Sequence, residues 1–215
     1  MLETRFLTVP RTARYVLRGN PDARTLWFVL HGYGQLAADF LAAFAPVDDG
    51  SRLFVAPEGL SRFYVRRDPD RVGASWMTRE DRLHEIADYV RYLDAVYDEV
   101  MAERDRTACT VHVLGFSQGT ATASRWFTLG QARIDRLILW AGALAHDLDP
   151  EDLKARLAPD TLTFVLGTQD EYIGAERLAE EEARLRAHAV PYRLLLFDGP
   201  HRLDTDTLKR VAEDA

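Results

Sequence analysis

The residues with the clearest catalytic potential lie in the segment Gly115-Phe116-Ser117-Gln118-Gly119. An apolar stretch, Val111–Gly115, precedes the serine, and small residues follow it. This G-x-S-x-G pattern holds a serine on a sharp strand-to-helix turn with its hydroxyl exposed. Glycine is needed at both ends because a side chain there would collide with the neighbouring strand or helix. The pattern predicts a nucleophile at Ser117. A serine that only occupies a strand–helix turn is the alternative.

A serine hydroxyl is a weak nucleophile until a base accepts its proton and a third group orients that base. In this type of turn the acid and then the histidine follow the serine along the chain. Of the six histidines, His201 follows the last apolar stretch and could reach back over a sheet to the serine. His146 also follows the serine, but it leaves no acid in the expected order. We therefore predict His201 as the base.

The predicted acid is Asp170, which comes directly after the apolar stretch Leu162–Leu166. A carboxylate there would emerge at the carboxyl end of the strand next to that of the histidine, and would hold the imidazole in one tautomer. Glu171 is the adjacent rival. Asp198, three residues before His201, is more typical of a turn.

A second glycine-flanked turn, His31-Gly32-Tyr33-Gly34, follows the apolar stretch Leu26–Leu30. Such a turn can point a backbone N–H into a site with no side chain in the way. An oxyanion hole in this arrangement needs one such N–H and the N–H after the nucleophile. These would belong to Tyr33 and Gln118. His31 is expected to hold the turn by hydrogen bonds rather than to react.

The elements that must position these residues are short apolar strands alternating with amphipathic helices. The predicted strands are Leu26–Leu30, Leu53–Ala56, Val111–Gly115, Leu137–Trp140, Leu162–Leu166 and Tyr192–Phe197. The predicted helices are Glu80–Arg104, Gln118–Leu129, Ala175–His188 and Thr205–Ala212. This alternation predicts an α/β fold, with a mostly parallel twisted sheet and helices on both faces. Sites in such sheets form at the carboxyl ends of the strands.

Arg5–Val9 and Ala13–Leu17 alternate in polarity and predict an N-terminal antiparallel hairpin. No repeat or linker-like segment divides the chain, so we expect one domain over 1–215. The net charge of −7 argues against a nucleic-acid partner, which needs a basic surface. The single cysteine, Cys109, allows no intrachain disulfide. No apolar run is long enough for membrane insertion, and we expect a cytoplasmic protein.

With Gly167-Thr168-Gln169-Asp170 and Gly199-Pro200-His201, these motifs resemble the phospholipase/carboxylesterase family of α/β-hydrolases. These are small esterases without a large lid, related to acyl-protein thioesterases. The resemblance spans about 26 to 201 and implies a triad of Ser117, Asp170 and His201. The family usually carries a tryptophan beside its acyl pocket. Trp76 matches it, although a plain core aromatic is the alternative.

Two departures from the family pattern affect the expected substrate rather than the triad. The usual aromatic-acidic pair after the tryptophan is replaced by Met77-Thr78, and the oxyanion turn continues into a helical pattern. Met77 and Phe63 are further candidates for substrate binding. Phe63 lies in Leu60–Val72, an apparent long loop rich in arginine. Its arginines could favour an anionic acyl or phosphate-bearing substrate. A solvated loop in which Arg66 or Arg67 pairs with Asp68 or Asp70 is the alternative.

These features predict a serine carboxylesterase that forms an acyl-enzyme on Ser117 and cleaves small-molecule esters of small or medium acyl chains. A thioesterase, lysophospholipase or peptidase on the same fold is an alternative. A ligand-binding module without catalysis and a purely structural protein are two further alternatives. We expect no cofactor and no metal, since no Cys/His spacing suggests a metal site. A homodimer is left open.

Overall fold

The computed structural model of the protein describes residues 1–66, 68 and 70–214. The strands are β1 Tyr15–Gly19, β2 Thr25–Leu30, β3 Arg52–Pro57, β4 Ser61–Tyr64, β5 Val72–Ser75, β6 Thr110–Phe116, β7 Arg136–Trp140, β8 Leu162–Gly167 and β9 Arg193–Phe197. The helices are α1 Ala37–Ala42, α2 Arg82–Met101, α3 Gln118–Leu129, α4 Pro150–Arg156, α5 Ala175–Ala187 and α6 Thr205–Glu213.

Seven of the strands form one sheet in the order β1-β3-β2-β6-β7-β8-β9. Every neighbouring pair is parallel except β1 with β3. The predicted mostly parallel sheet is therefore confirmed. β6 lies between β2 and β7, so the segments that follow these strands meet at one edge of the sheet.

The N-terminal antiparallel pairing exists, but its partner differs from the prediction. Tyr15–Gly19 pairs with β3, with Tyr15 opposite Pro57, and Arg5–Val9 is not a strand. An isolated two-stranded hairpin on a surface is marginal in water. Pairing with β3, whose residues from Leu53 onward are buried, extends a large sheet instead.

The sheet is covered on both faces, as the uninterrupted apolar strands predict. Adjacent residues of β2 show the alternation. Phe28 packs against Trp126 of α3 on one face, at 5.3 Å between ring centroids. Trp27 points to the other face, where its ring lies 6.2 Å from that of Phe54. The helices α2 and α3 cover the first face, and α1 and α6 cover the second. No helix in the described part of the chain is long and apolar enough to cross a membrane.

The segment Leu60–Val72 is not simply a long loop. β4 and β5 form an antiparallel hairpin in which Ser61 pairs with Ser75 and Tyr64 with Val72. Strands of four residues are too short to show a reliable period, so the sequence pattern does not predict them. The short helix α4 was also missed, although Asp149 caps it and Pro150 begins it, a recognisable start signal.

His112 is an unusual residue in the interior of the sheet. It is buried in β6 and stacks on Trp27, with 4.9 Å between ring centroids. Neither of its ring nitrogens has a hydrogen-bond partner among the residues described. Burial, together with the charges of Arg136 and Arg52, lowers the pKa of His112 to about 4. The ring is therefore neutral in the folded protein.

This histidine should make the fold sensitive to acid. The pKa of His112 is depressed in the folded state relative to its ordinary value of 6.5. Between those values only the unfolded chain binds the proton, so the free energy of unfolding falls as the pH falls. From about pH 7 to about pH 5, His112 should account for a loss of about 2 kcal/mol. Urea denaturation at both pH values should show a smaller drop for His112→Phe than for the wild type. Equal drops would contradict this origin.

Candidate active site

The turn between β6 and α3 holds Ser117 in a strained conformation. Its φ is 54° and its ψ is −115°, in a region that side chains rarely adopt. The backbone N–H of Ser117 donates to the carbonyl of Trp140, at 2.9 Å. A Cβ on Gly115 would clash with the carbonyl of Gly119, and one on Gly119 would clash with that of Leu30. The close approach of these backbones explains both glycines of the motif.

A chain of hydrogen bonds connects Ser117 to a buried carboxylate through His201. The Ser117 Oγ lies 2.9 Å from Nε2 of His201, and Nδ1 of His201 lies 2.8 Å from Oδ2 of Asp170. The side chain of Asp170 is 0% exposed and that of His201 is 13% exposed. With the Nδ1 proton facing the carboxylate, Nε2 is left to accept the serine proton. The structure thus brings together the three residues that the sequence singled out.

The orientation of Asp170 is set by the start of the following segment. Its second oxygen, Oδ1, accepts the backbone N–H groups of Tyr172 and Ile173, at 2.8 and 3.0 Å. The ring of Tyr172 also packs edge-on against the ring of His201, with 4.7 Å between centroids. On the other side, the Phe116 ring lies 5.1 Å from the same imidazole. The acid and the base are therefore both held in place.

The alternative triad members lie elsewhere. Glu171 accepts the backbone N–H of His201, at 3.4 Å, rather than contacting the ring. Asp198 accepts from the side chain of Gln169, at 2.7 Å. His146 is exposed and has no hydrogen bond to Ser117.

The turn after β2 lies against the serine. A Cβ on Gly32 would lie 3.2 Å from the Cβ of Ser117. The N–H of Gly32 donates to the Gln35 side chain, at 2.7 Å, and the N–H of Gly34 to the carbonyl of Ala74, at 2.8 Å. Within the described ranges, the N–H of Tyr33 between them has no acceptor. The N–H of Gln118, the first residue of α3, has none there either.

His31 and Trp76 support this turn from beneath. The Nε2 of His31 accepts the N–H of Gly59, at 2.9 Å, and Nδ1 donates to the carbonyl of Gly32, at 2.8 Å. Burial lowers the pKa of His31, so that the ring stays neutral. Trp76 stacks on it and donates from Nε1 to the carbonyl of His31, at 2.8 Å. The predicted structural role of His31 is confirmed.

Trp76 does not offer a surface to a ligand, contrary to the substrate-binding interpretation. It is only 1% exposed. Trp76 is a buried core aromatic, the alternative interpretation of this residue. A family resemblance alone could not distinguish a ring that faces a pocket from one that packs beneath the turn.

The side chain of Gln118 has a role that the sequence did not reveal. Its Oε1 accepts the N–H of Trp76, at 3.2 Å, and its Nε2 donates to the carbonyl of Met77, at 2.9 Å. It also donates to the Ser75 hydroxyl, at 3.1 Å. The first residue of α3 therefore joins the serine turn to the end of β5.

A cavity of about 350 Å³ opens beside the serine. It is lined by Ser117–Gln118, Thr120–Ala121, Ala141–His146, Tyr172–Ile173, Arg177 and His201. Neither Met77 nor Phe63 lines it. The sulfur of Met77 contacts Nη1 of Arg125, at 3.3 Å, and the Phe63 ring stacks on that of Tyr33, with 5.0 Å between centroids. The predicted substrate contacts of Met77 and Phe63 thus lie outside this cavity.

The described arginines of the segment 60–72, Arg62, Arg66 and Arg71, do not line the cavity either. Arg62 pairs with the buried carboxylate of Glu58, at 2.6 Å, which lies outside this segment. Arg67, which the hypothesis also included, lies outside the described residues. In the portion of the chain that the structure describes, no group of three or more His, Cys, Asp or Glu side chains is arranged to hold a metal ion.

Solved structures with a similar architecture include esterases and an acyl-protein thioesterase. The chain is 21% identical to the esterase PE8, with a TM-score of 0.70 over 95% of this chain and 98% of that one. It is 15% identical to acyl-protein thioesterase 2 of Zea mays, with a TM-score of 0.68 over 94% of this chain and 97% of that one. It is also 15% identical to the carboxylesterase of Bacillus cereus, with a TM-score of 0.65 over 94% of this chain and 92% of that one.

The sequence matches no family model and no curated protein. At this level of identity the structural likeness shows the fold alone. The fold is that of the α/β-hydrolases, as the motifs imply.

Proposed function

We propose that the protein is a serine carboxylesterase related to the phospholipase/carboxylesterase family. The observation that carries the proposal is the hydrogen-bonded chain from Asp170 through His201 to Ser117, with the serine on a strained turn. A binding or structural protein has no need for all three groups in this order. The esterase and thioesterase neighbours are consistent with ester or thioester substrates.

Acylation begins when Ser117 attacks the ester carbonyl. Its hydroxyl proton passes to Nε2 of His201, and the buried carboxylate of Asp170 stabilises the imidazolium that forms. The carbonyl oxygen becomes an oxyanion. We assign its stabilisation to the N–H groups of Tyr33 and Gln118, which have no acceptor among the described residues.

Collapse of the tetrahedral intermediate breaks the bond to the alcohol. His201 returns the proton to the departing oxygen, which leaves an acyl group on Ser117. A water molecule then enters and His201 accepts one of its protons while the hydroxide attacks the acyl carbon. The acid is released, and the serine recovers its proton.

The size of the cavity supports small or medium acyl chains. About 350 Å³ is at the small end for ligand pockets. Hydrolysis of p-nitrophenyl esters from acetate to palmitate should therefore peak between acetate and octanoate and decline for longer chains. An optimum at palmitate would contradict the proposed chain length, although not the esterase chemistry. The homodimer and the cytoplasmic location remain predictions.

A further inference from the structure

We propose that the substrate of this site carries an anionic group, bound by Arg177 in the cavity beside Ser117. The inference rests on the proposed esterase function. The chain has 34 acidic and 27 basic residues, so an arbitrary surface hollow would be expected to include carboxylates. Among the described residues that line this cavity there is none. The ionisable groups present are the guanidinium of Arg177, two imidazoles and the phenol of Tyr172.

No described residue neutralises the charge of Arg177. In the part of the chain that the structure describes, it has no carboxylate within 4.0 Å and no hydrogen-bond acceptor. Other arginines of the same helix are paired: Arg184 with Glu181 at 3.5 Å, and Arg186 with Glu182 at 3.9 Å. Glu181, one turn after Arg177, instead accepts the N–H of Leu144, at 3.1 Å.

The cavity lining also includes a second polar side chain, His146, without a partner among the described residues. His146 is exposed, and its ring makes no hydrogen bond to any described residue. The backbone around it is anchored on both sides. The N–H of Ala145 donates to the Ser124 hydroxyl, at 3.0 Å, and Asp147 pairs with the buried Arg125, at 2.7 Å. An imidazole held in this way can donate a hydrogen bond to an anion that Arg177 attracts.

The chemistry of the two groups favours a carboxylate or phosphate. A guanidinium presents a planar fork of donors that matches either group with two parallel hydrogen bonds. Ser117 and His201 line the same cavity as Arg177, so the anionic group belongs near the bond that is cleaved. It can lie on the acyl side or on the alcohol side of the ester.

Two pairs of substrates test the proposal and separate these sides. The acyl pair is the p-nitrophenyl monoester of adipic acid and neutral p-nitrophenyl hexanoate. The alcohol pair is the acetate ester of p-hydroxybenzoic acid and that of p-hydroxybenzamide. We expect the wild type to prefer the anionic member of one pair by about tenfold in kcat/KM, mainly through KM, as for a charge-assisted hydrogen bond.

Arg177→Gln should remove that preference, so that the anionic and the neutral member of the pair are hydrolysed with similar kcat/KM. The matched control is Arg210→Gln, an exposed arginine of α6 that does not line the cavity. It should keep the preference. No preference in either pair, or one that survives Arg177→Gln, would overturn the inference. Hydrolysis of the neutral esters by Ser117→Ala at the wild-type rate would instead overturn the esterase function itself.

Discussion

Ser117→Ala should lower kcat/KM for p-nitrophenyl butyrate by about 10⁴- to 10⁶-fold, in line with the loss of a serine nucleophile in other hydrolases. The reason is that His201 would then have no hydroxyl to activate, since Ser117 Oγ is the group within 2.9 Å of its Nε2. A fluorophosphonate should label the wild type and leave the variant unlabelled. Steady-state kinetics and mass spectrometry of the labelled protein measure the two effects.

The variant should fold as the wild type does. Alanine keeps the Cβ that already occupies the strained turn, where φ is 54°. The serine hydroxyl has no bond to the turn itself. The matched control is Ser51→Ala, at an exposed serine immediately before β3, which should retain full activity. Unlabelled wild type, or equal activity in wild type and Ser117→Ala, would favour a ligand-binding module on a hydrolase fold.

The strand pattern and the turn glycines explain why so much of this site could be predicted. β6 is buried on both faces because helices cover both sides of the sheet, and such strands stand out as mainly apolar runs. The glycines at 115 and 119 mark a turn where two backbones come too close for a Cβ. Since parallel strands end at a common edge, Asp170 and His201 could be placed near the serine from strand order alone.

The direction in which a side chain points within a loop could not be predicted in the same way. Trp76 follows a strand of four residues, and neither its burial nor its bond to the His31 carbonyl leaves a periodic signal. The same holds for Arg177. In the sequence it is one more charge on an acidic helix, whereas the fold places it on the cavity and Glu181, one turn along, accepts the N–H of Leu144.

Asp170→Asn should lower kcat by about 10⁴-fold and change KM little, as in other triads. The geometry gives the physical reason. The N–H groups of Tyr172 and Ile173 both donate to one oxygen of this side chain, so an asparagine would keep its carbonyl oxygen there. Its amide NH₂ would then face Nδ1 of His201. Because Nδ1 would have to accept that hydrogen bond, the ring proton would move to Nε2, which could no longer accept the proton of Ser117.

Two matched controls separate this effect from a general loss of negative charge near the site. Glu171→Gln removes the adjacent carboxylate, which contacts the His201 backbone rather than the ring, and should cost less than about tenfold in kcat. Asp198→Asn removes the exposed carboxylate three residues before the histidine, and a similarly small effect is expected. A large loss in Glu171→Gln with a small one in Asp170→Asn would show that Glu171, and not Asp170, is the acid of the triad. Large losses in all three variants would mean that charge, rather than the imidazole tautomer, is what the site requires.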